Sequence, residues 1–494
     1  MATLHHSRPR YLRQNRHTAC LADRQPIRSA VRRTTWPYRR LGTRPRAKLC
    51  DENDRVVRRG LALAFVKANP AERLQPGIVT GMTSGTMRPP LRTQAAVAVG
   101  RIANRTSKAL GKGHGTVIGG NITLKLDPGA LKHLVGTRAV TVVTGTNGKS
   151  TTTRLVREAL GSTRKTASNR GANMPPGLIE AAADQQAEEL VFEVDELYVP
   201  QVIEATRASV LVLLNLSRDQ LDRITEIRRV AELWRTMLRS IDWPLTVVAN
   251  ADDPLLVWAV GDYANVVWVS AGYRWKEDAA LCPQCSRVRS ISTEGTWTCE
   301  CGLNRPTPAW TVGPEGAVGP HGLTPFALKL PGDFNRSNAT VALAVAAARG
   351  IPAATAIGPM QGVIDVFGRY VTAAVDGRPV RLFLAKNPAS WTEMLHLLTN
   401  EKASVVFVVN ARVADGQDTS WLWDVPFEQA AGRAVIAAGD RRLDLAFRLQ
   451  LANVEHTVVH SALAGIKDLP PGPVELLATY TAFHDVLKEL NVPW

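Results

Sequence analysis

From Ala139 onward the chain alternates short apolar runs with longer stretches of helical spacing. The runs "LVFEV" (190–194), "ASVLVLLNL" (208–216) and "LTVVAN" (245–250) are apolar throughout rather than at every second position. Continuous apolar strands belong to a parallel sheet covered on both faces. "VAELWRTML" (230–238) has helical spacing and separates two of them. This order predicts an α/β domain with a parallel sheet. A helix is expected over Asn338–Arg349. After Phe367 a second set follows: "VRLFLA" (380–385), "ASVVFVVN" (403–410), "RAVIAAG" (433–439), "HTVVH" (456–460) and "PVELLAT" (473–479). These predict a second, smaller α/β domain. Upstream, Gln94–Leu110 is spaced as an amphipathic helix, and glycines ("GKGHGTVIGGN") separate it from another helical pattern near Leu131.

The basic residues change this picture only at one end. The formal charge is +16, and residues 1–86 hold 18 Lys and Arg against 5 Asp and Glu, or +13 of it. That region lacks periodicity and reads as a disordered extension to about residue 88, with Met87 as an alternative start. The remainder is close to neutral, so no nucleic acid is expected as partner. No apolar run approaches the roughly 20 residues of a membrane helix. Leu61–Val66 is too short and too far along the chain for a signal peptide. The expected boundaries are 1–88 for the extension, 89–366 for the first domain and 367–494 for the second.

Candidate chemistry starts at "VTVVTGTNGKSTTTRLV" (140–156), where a strand runs into a glycine turn and a helix. The turn Gly145, Thr146, Asn147, Gly148, Lys149, Ser150, Thr151 is a shortened relative of the phosphate-binding loop. Phosphate oxygens need converging N–H donors, which a helix N-terminus supplies. The glycines keep Cβ atoms out of the way. Lys149 offers a point charge to the β/γ-phosphates, and Ser150 or Thr151 a hydroxyl to Mg²⁺. "FEVDE" (192–196) ends a strand in Glu193, Asp195 and Glu196, which can reach a metal on a neighbouring phosphate loop. Asn335 and Asn338 open a helix and can touch adenine or its phosphates, or simply cap it.

Four of the six cysteines, Cys282, Cys285, Cys299 and Cys301, fall inside a stretch (279–308) that breaks the α/β rhythm. C-x-x-C followed by C-x-C suits a closed tetrahedral Zn²⁺ site with a structural role. Disulfide pairing is the alternative in an oxidising compartment. No histidine in the segment supports a catalytic thiol.

The stretch T-G-T-N-G-K-S-T resembles the ATP loop of the Mur ligase family. In the family's order follow "NRGANMPPG" (169–177), "FEVDE", "NLSRDQLDR" (215–223), "NADDP" (250–254) and "GDFNRSNATVAL" (332–343). Two positions depart from the ordinary pattern. Gln220 stands where the family has His, and no lysine between Val202 and Trp275 matches its carbamylated lysine. The resemblance therefore does not imply ordinary amino-acid addition. With the cysteines, "LAKNPAS" (384–390) and "NARVADGQDTSWLWDVPFE" (410–428), the chain resembles the MurT branch of that family.

That resemblance implies a P-loop central domain with an inserted zinc ribbon and a C-terminal α/β domain. It implies a ligase using ATP and Mg²⁺, with Lys149 on phosphate and Ser150 and Glu193 on the metal. The reaction would amidate the D-glutamate α-carboxyl of the lipid II stem peptide through an acyl phosphate, in peptidoglycan synthesis. The chain shows no activated Cys–His pair of its own, so ammonia would come from a GatD-type glutaminase subunit. Asp418 would complete that partner's Cys–His pair, with Asp415 and Asp424 as close neighbours. The enzyme would be cytoplasmic and act at the inner face of the plasma membrane.

Overall fold

The computed structural model describes residues 88–492, apart from 110–115, 219–223, 273–277, 279, 294, 365–368 and 399–402. The expected basic extension lies outside the described residues, as do Asp219, Gln220 and Asp222. Among the described residues no helix is long and apolar enough to cross a membrane.

Two sheets organise the chain. The first contains β1 (Ala139–Thr144), β2 (Thr166–Ser168), β3 (Glu189–Glu193), β4 (Val210–Leu213), β5 (Thr246–Asn250), β6 (Val266–Ser270), β9 (Trp310–Val312), β10 (Gly316–Gly319) and β11 (Gly322–Pro325). Their order is β11-β10-β9-β6-β5-β4-β1-β3-β2. All pairs are parallel except the two that join β9, β10 and β11. Between β6 and β9 a small hairpin forms from β7 (Ser290–Ile291) and β8 (Trp297–Thr298), the stretch that carries the cysteines.

Strand residues alternate between two cores, as the pleat requires. Val140, Val142, Leu211 and Leu213 enter one, while Val143, Val210 and Val212 enter the other. Both faces are covered, which is why these strands carry apolar residues at every position. From β1 the chain winds to β2 and β3 on one side, then crosses to β4 on the other. The turn after β1 therefore sits where the strand order reverses, the usual ligand position in such sheets.

The second sheet has the order β12-β13-β17-β14-β15-β16, from β12 (Tyr370–Val375), β13 (Arg378–Leu384), β14 (Ser404–Val408), β15 (Val435–Ala438), β16 (His456–Val458) and β17 (Val474–Ala478). Only the edge hairpin of β12 and β13 is antiparallel. Trp391, Phe407 and Phe427 fill one of its cores, with ring centroids 5.2 to 5.7 Å apart.

One stretch departs from its sequence pattern. The glycine-rich "TVIGGN" lies within a helix, Thr116–Leu126. Glycine is a poor helix former, which masks the element. Here it serves packing: a Cβ on Gly120 would fall 1.9 Å from the Pro176 carbonyl oxygen.

Candidate active site

The loop after β1 is built by side chains far away in sequence. Gly145 has φ of 139° and Gly148 of 84°, both in the region that favours glycine. A Cβ on Gly148 would come within 2.9 Å of Asn338 Oδ1. Thr146 N–H donates to the Asn215 carbonyl (2.9 Å), and Asn147 N–H to Asn215 Oδ1 (2.9 Å). Thr146 Oγ1 accepts from Ser217 N–H (3.0 Å) and donates to the Ser217 carbonyl (3.1 Å). The first two loop amides thus clamp the loop to the chain leaving β4. The amides of Gly148 to Thr151 make no hydrogen bond among the described residues. They form the open first turn of the helix Lys149–Gly161, where backbone N–H groups favour an anion.

Lys149 is buried. Its Nζ donates to the Gly145 carbonyl (2.6 Å) and pairs with Glu196 Oε1 (3.1 Å). In the sequence Glu196 is one of three strand-end carboxylates, with nothing to set it apart. The structure selects it as the lysine's partner. Asp195 instead accepts from Leu197 N–H and caps the short turn. Glu193 lies beside Val143 in the register of β3 with β1, and its backbone is fixed at both groups by Asn169.

The loop opens into a cavity of about 580 Å³. Thr146 to Thr151 line it, as do Asn335 and Asn338 from the first turns of the helix Asp333–Ala348. Asn338 Nδ2 donates to Asn335 Oδ1 (3.2 Å), and Asn335 Nδ2 to the Pro331 carbonyl (2.6 Å). Arg369, Tyr370, Lys386 and Glu393 from the second sheet's domain complete the lining. Fully buried Asn387 joins the two parts: its Nδ2 donates to Asn147 Oδ1 across 240 residues of sequence (3.1 Å). The motif "LAKNPAS" pointed to this stretch, but only the fold shows that it meets the loop.

"NADDP" has a supporting role. Asp253 is fully buried, accepts from Leu216 N–H (2.7 Å) and caps the helix Pro254–Val260. Burial raises its pKa from 3.8 to about 6. Asp252 pairs with Arg305 (2.7 Å), and Trp297 Nε1–H donates to the Ala251 carbonyl (3.3 Å). The cysteine module is thereby docked on the loop that follows β5.

In that module the sulfur pairs Cys282–Cys301, Cys285–Cys299 and Cys299–Cys301 are 3.5 to 3.6 Å apart. All four sulfurs lie within 4.8 Å of one another. Disulfides need about 2.05 Å. A tetrahedron with Zn–S bonds of about 2.3 Å has edges of about 3.8 Å, so the donor set fits such an ion. Burial pushes the Cys282 thiol up to about 12, and a bound cation is what lets such a group ionise.

The three neighbouring aspartates differ. Asp415 is buried and accepts from Thr481 N–H (2.7 Å), Thr481 Oγ1 (2.5 Å) and Arg412 N–H (3.1 Å). Asp424 pairs with Arg218 at 3.6 Å. Asp418 is exposed, and its nearest support is local: Ser420 donates from N–H (2.8 Å) and Oγ (2.6 Å), which lowers its pKa. Neither Asp418 nor the cysteines line the cavity.

Comparison with known proteins finds two domain families and a set of relatives. The Mur ligase middle domain model matches residues 143–299, and the MurT ligase C-terminal model matches 384–483. The lipid II isoglutaminyl synthase (glutamine-hydrolyzing) subunit MurT of Staphylococcus aureus (strain N315) is 28% identical over 435 residues, covering 81% of this chain and 98% of that protein. The subunit of the same name from Streptococcus pneumoniae (strain ATCC BAA-255 / R6) is 26% identical, with the same coverage. Among solved structures, a pseudomurein peptide ligase type C from Methanothermus fervidus superposes with a TM-score of 0.57 at 18% identity, over 73% of this chain and 80% of that one. MurF from Acinetobacter baumannii gives 0.57 at 15% identity, over 75% and 80%. These structures establish the fold. The chain thus carries a Mur ligase middle domain and a MurT C-terminal domain, and it is similar to curated MurT subunits over most of its length.

Proposed function

We infer that this chain is the synthetase subunit of a glutamine-hydrolysing lipid II isoglutaminyl synthase, an ATP-dependent carbon–nitrogen ligase of peptidoglycan synthesis. The observation that carries this reading is the cleft itself. A phosphate loop with four open amides and Lys149 shares one cavity with the domain matched by the MurT C-terminal model.

The proposed reaction starts with transfer of the γ-phosphoryl group of ATP to the D-glutamate α-carboxylate, giving an acyl phosphate and ADP. Ammonia then attacks the carbonyl carbon, the C–O bond to phosphate breaks, and a proton leaves nitrogen as the amide forms. The protein's task in the first step is positioning and neutralising charge. Amides Gly148–Thr151 and Lys149 would hold the phosphates, and Lys149 would exchange its bond to Glu196 for one to phosphate. Asn335 and Asn338 would hold the nucleotide from the helix Asp333–Ala348. Ser150 and Glu193 would hold Mg²⁺, whose chemistry is to offset charge on the transferring group.

Free ammonia is scarce at neutral pH, and a glutaminase needs an activated cysteine. The described cysteines are gathered into a set that suits a structural Zn²⁺. The nitrogen would therefore come from a separate GatD-type subunit. Asp418 would orient its Cys–His pair, since it alone of the three aspartates is exposed without a long-range partner. The substrate's lipid anchor would place the pair at the inner membrane face. The test is incubation with ATP, Mg²⁺ and lipid II, supplying either ammonium or free amino acids. Amidation with ammonium is expected. Addition of an amino acid would replace this reading with ordinary Mur ligase chemistry.

A further inference from the structure

The helix Leu91–Ala109 has two unlike faces. Thr93, Ala96, Val97, Gly100 and Ser107 are buried. A Cβ on Gly100 would meet the Gly119 carbonyl at 2.5 Å, so this face packs on the helix Thr116–Leu126. On the other side Leu91, Val99 and Ile102 share one stripe and are 83%, 46% and 62% exposed. Exposed Arg92 borders the stripe on one side, and exposed Arg101 and Arg105 on the other. The second helix adds Ile118 and Leu126, 42% and 45% exposed and two turns apart. Arg92 ties the pair together by donating to the Leu126 carbonyl (2.7 Å). Neither helix contains an acidic residue.

Large exposed apolar side chains flanked by arginines, on helices with no acidic residue, suit the interface of an anionic bilayer. The stripe enters the acyl boundary while the guanidinium groups meet lipid phosphates. A second copy of the same face would set arginine against arginine. Nucleic acid would leave the apolar stripe without a partner. The hairpin is also fixed close to the site. Gly120 packs on Pro176, in the first turn of the helix Pro175–Ala182. Six residues separate that helix from β2, at the C-terminal edge of the sheet that also carries the phosphate loop.

We propose that the exposed face of the two helices Leu91–Ala109 and Thr116–Leu126 binds the surface of an anionic phospholipid membrane. It would hold the cleft near the plane where a lipid-anchored substrate presents its headgroup. The purpose of this contact rests on the functional reading above; the surface chemistry does not.

The full chain with its glutaminase partner is sedimented with phosphatidylcholine vesicles, with and without phosphatidylglycerol, at low and high salt. Binding is expected to need the anionic lipid and to weaken with salt. Two double variants remove the two halves of the face: Val99→Ser with Ile102→Ser, and Arg101→Glu with Arg105→Glu. Each should weaken vesicle binding by about tenfold or more. Both should amidate a lipid-free stem peptide as the parent does, yet lose activity on vesicle-embedded lipid II. If only the functional reading is wrong, the variants still lose vesicle binding but no amide forms with either substrate. The proposal is overturned if the full chain ignores anionic vesicles or both variants bind them like the parent. It is equally overturned if the variants disrupt a dimer instead, or if binding appears only after residues 1–87 are removed, which would assign the face to that segment.

Discussion

The two sheets of this protein are close in design and opposite in what their edges offer. Each is mainly parallel, and each has a turn leaving a central strand. After β1 the turn reads Gly-Thr-Asn-Gly, and among the described residues the amides of Gly148 to Thr151 stay open beside a cavity. After β14 it reads Asn410-Ala411-Arg412, and polar side chains there bond one another. Asn410 Oδ1 accepts from Asp440 N–H (2.9 Å), and its Nδ2 donates to Thr481 Oγ1 (3.1 Å). Arg412 pairs with Asp440 and Asp485, and Asp415 takes three donors. The first edge leaves donors for an anion; the second uses its groups on itself, and nearby Asp418 is exposed. A shared architecture does not confer a shared site; the turn residues decide.

The largest expected effect breaks the open edge. Lys149→Ala should lower amidation by about a thousandfold, because it removes the one buried cation of the loop. Ammonia-driven turnover measures it. The next change separates the two edges. Asp418→Asn should cut glutamine-driven amidation by about a hundredfold and leave ammonia-driven amidation and nucleotide binding intact. A comparable loss with both nitrogen sources would remove Asp418 from the partner's chemistry.

Structural changes follow. A chelator, or Cys282→Ser, should release about one zinc per chain and lower the melting temperature, as expected for a structural zinc. Metal analysis and a thermal scan check this. Asp415→Asn should cost about 1–3 kcal/mol in stability by leaving buried donors unmatched, with no change in nucleotide affinity. Denaturant unfolding and a nucleotide titration together test that division.

The smallest effect is a pH dependence. Asp253 has its pKa raised from 3.8 to about 6. Its contribution to stability is fully present below about pH 4 and is lost as pH rises through about 6. The stability difference between the parent and Asp253→Asn should therefore shift against the parent across that window. A flat difference would contradict the burial argument.

Legibility in the sequence followed distance along the chain. The phosphate loop was readable because its chemistry is packed into a few consecutive residues. So were the buried strands, whose apolar runs reflect cover on both faces. Asn215 clamping Asn147 and Asn387 reaching the same residue were not, because those partners lie 68 and 240 residues away. Glu196 was visible only as one of three carboxylates until the fold set it against Lys149. The helix Thr116–Leu126 was hidden by glycines whose purpose, contact with Gly100 and Pro176, is tertiary. Strands β9 to β11 are short and hold four glycines or prolines among their residues, which removes the apolar run that betrays a strand.

In the proposed reaction the cleft energises a carboxyl by phosphoryl transfer. The most direct measurement labels the α-carboxyl oxygens of the stem-peptide glutamate with heavy oxygen and follows the label after turnover with ATP and ammonium. The inorganic phosphate released should carry one labelled oxygen per amide formed, and Lys149→Ala should release about a thousandth as much. Amide formation with unlabelled phosphate would contradict the proposed reaction.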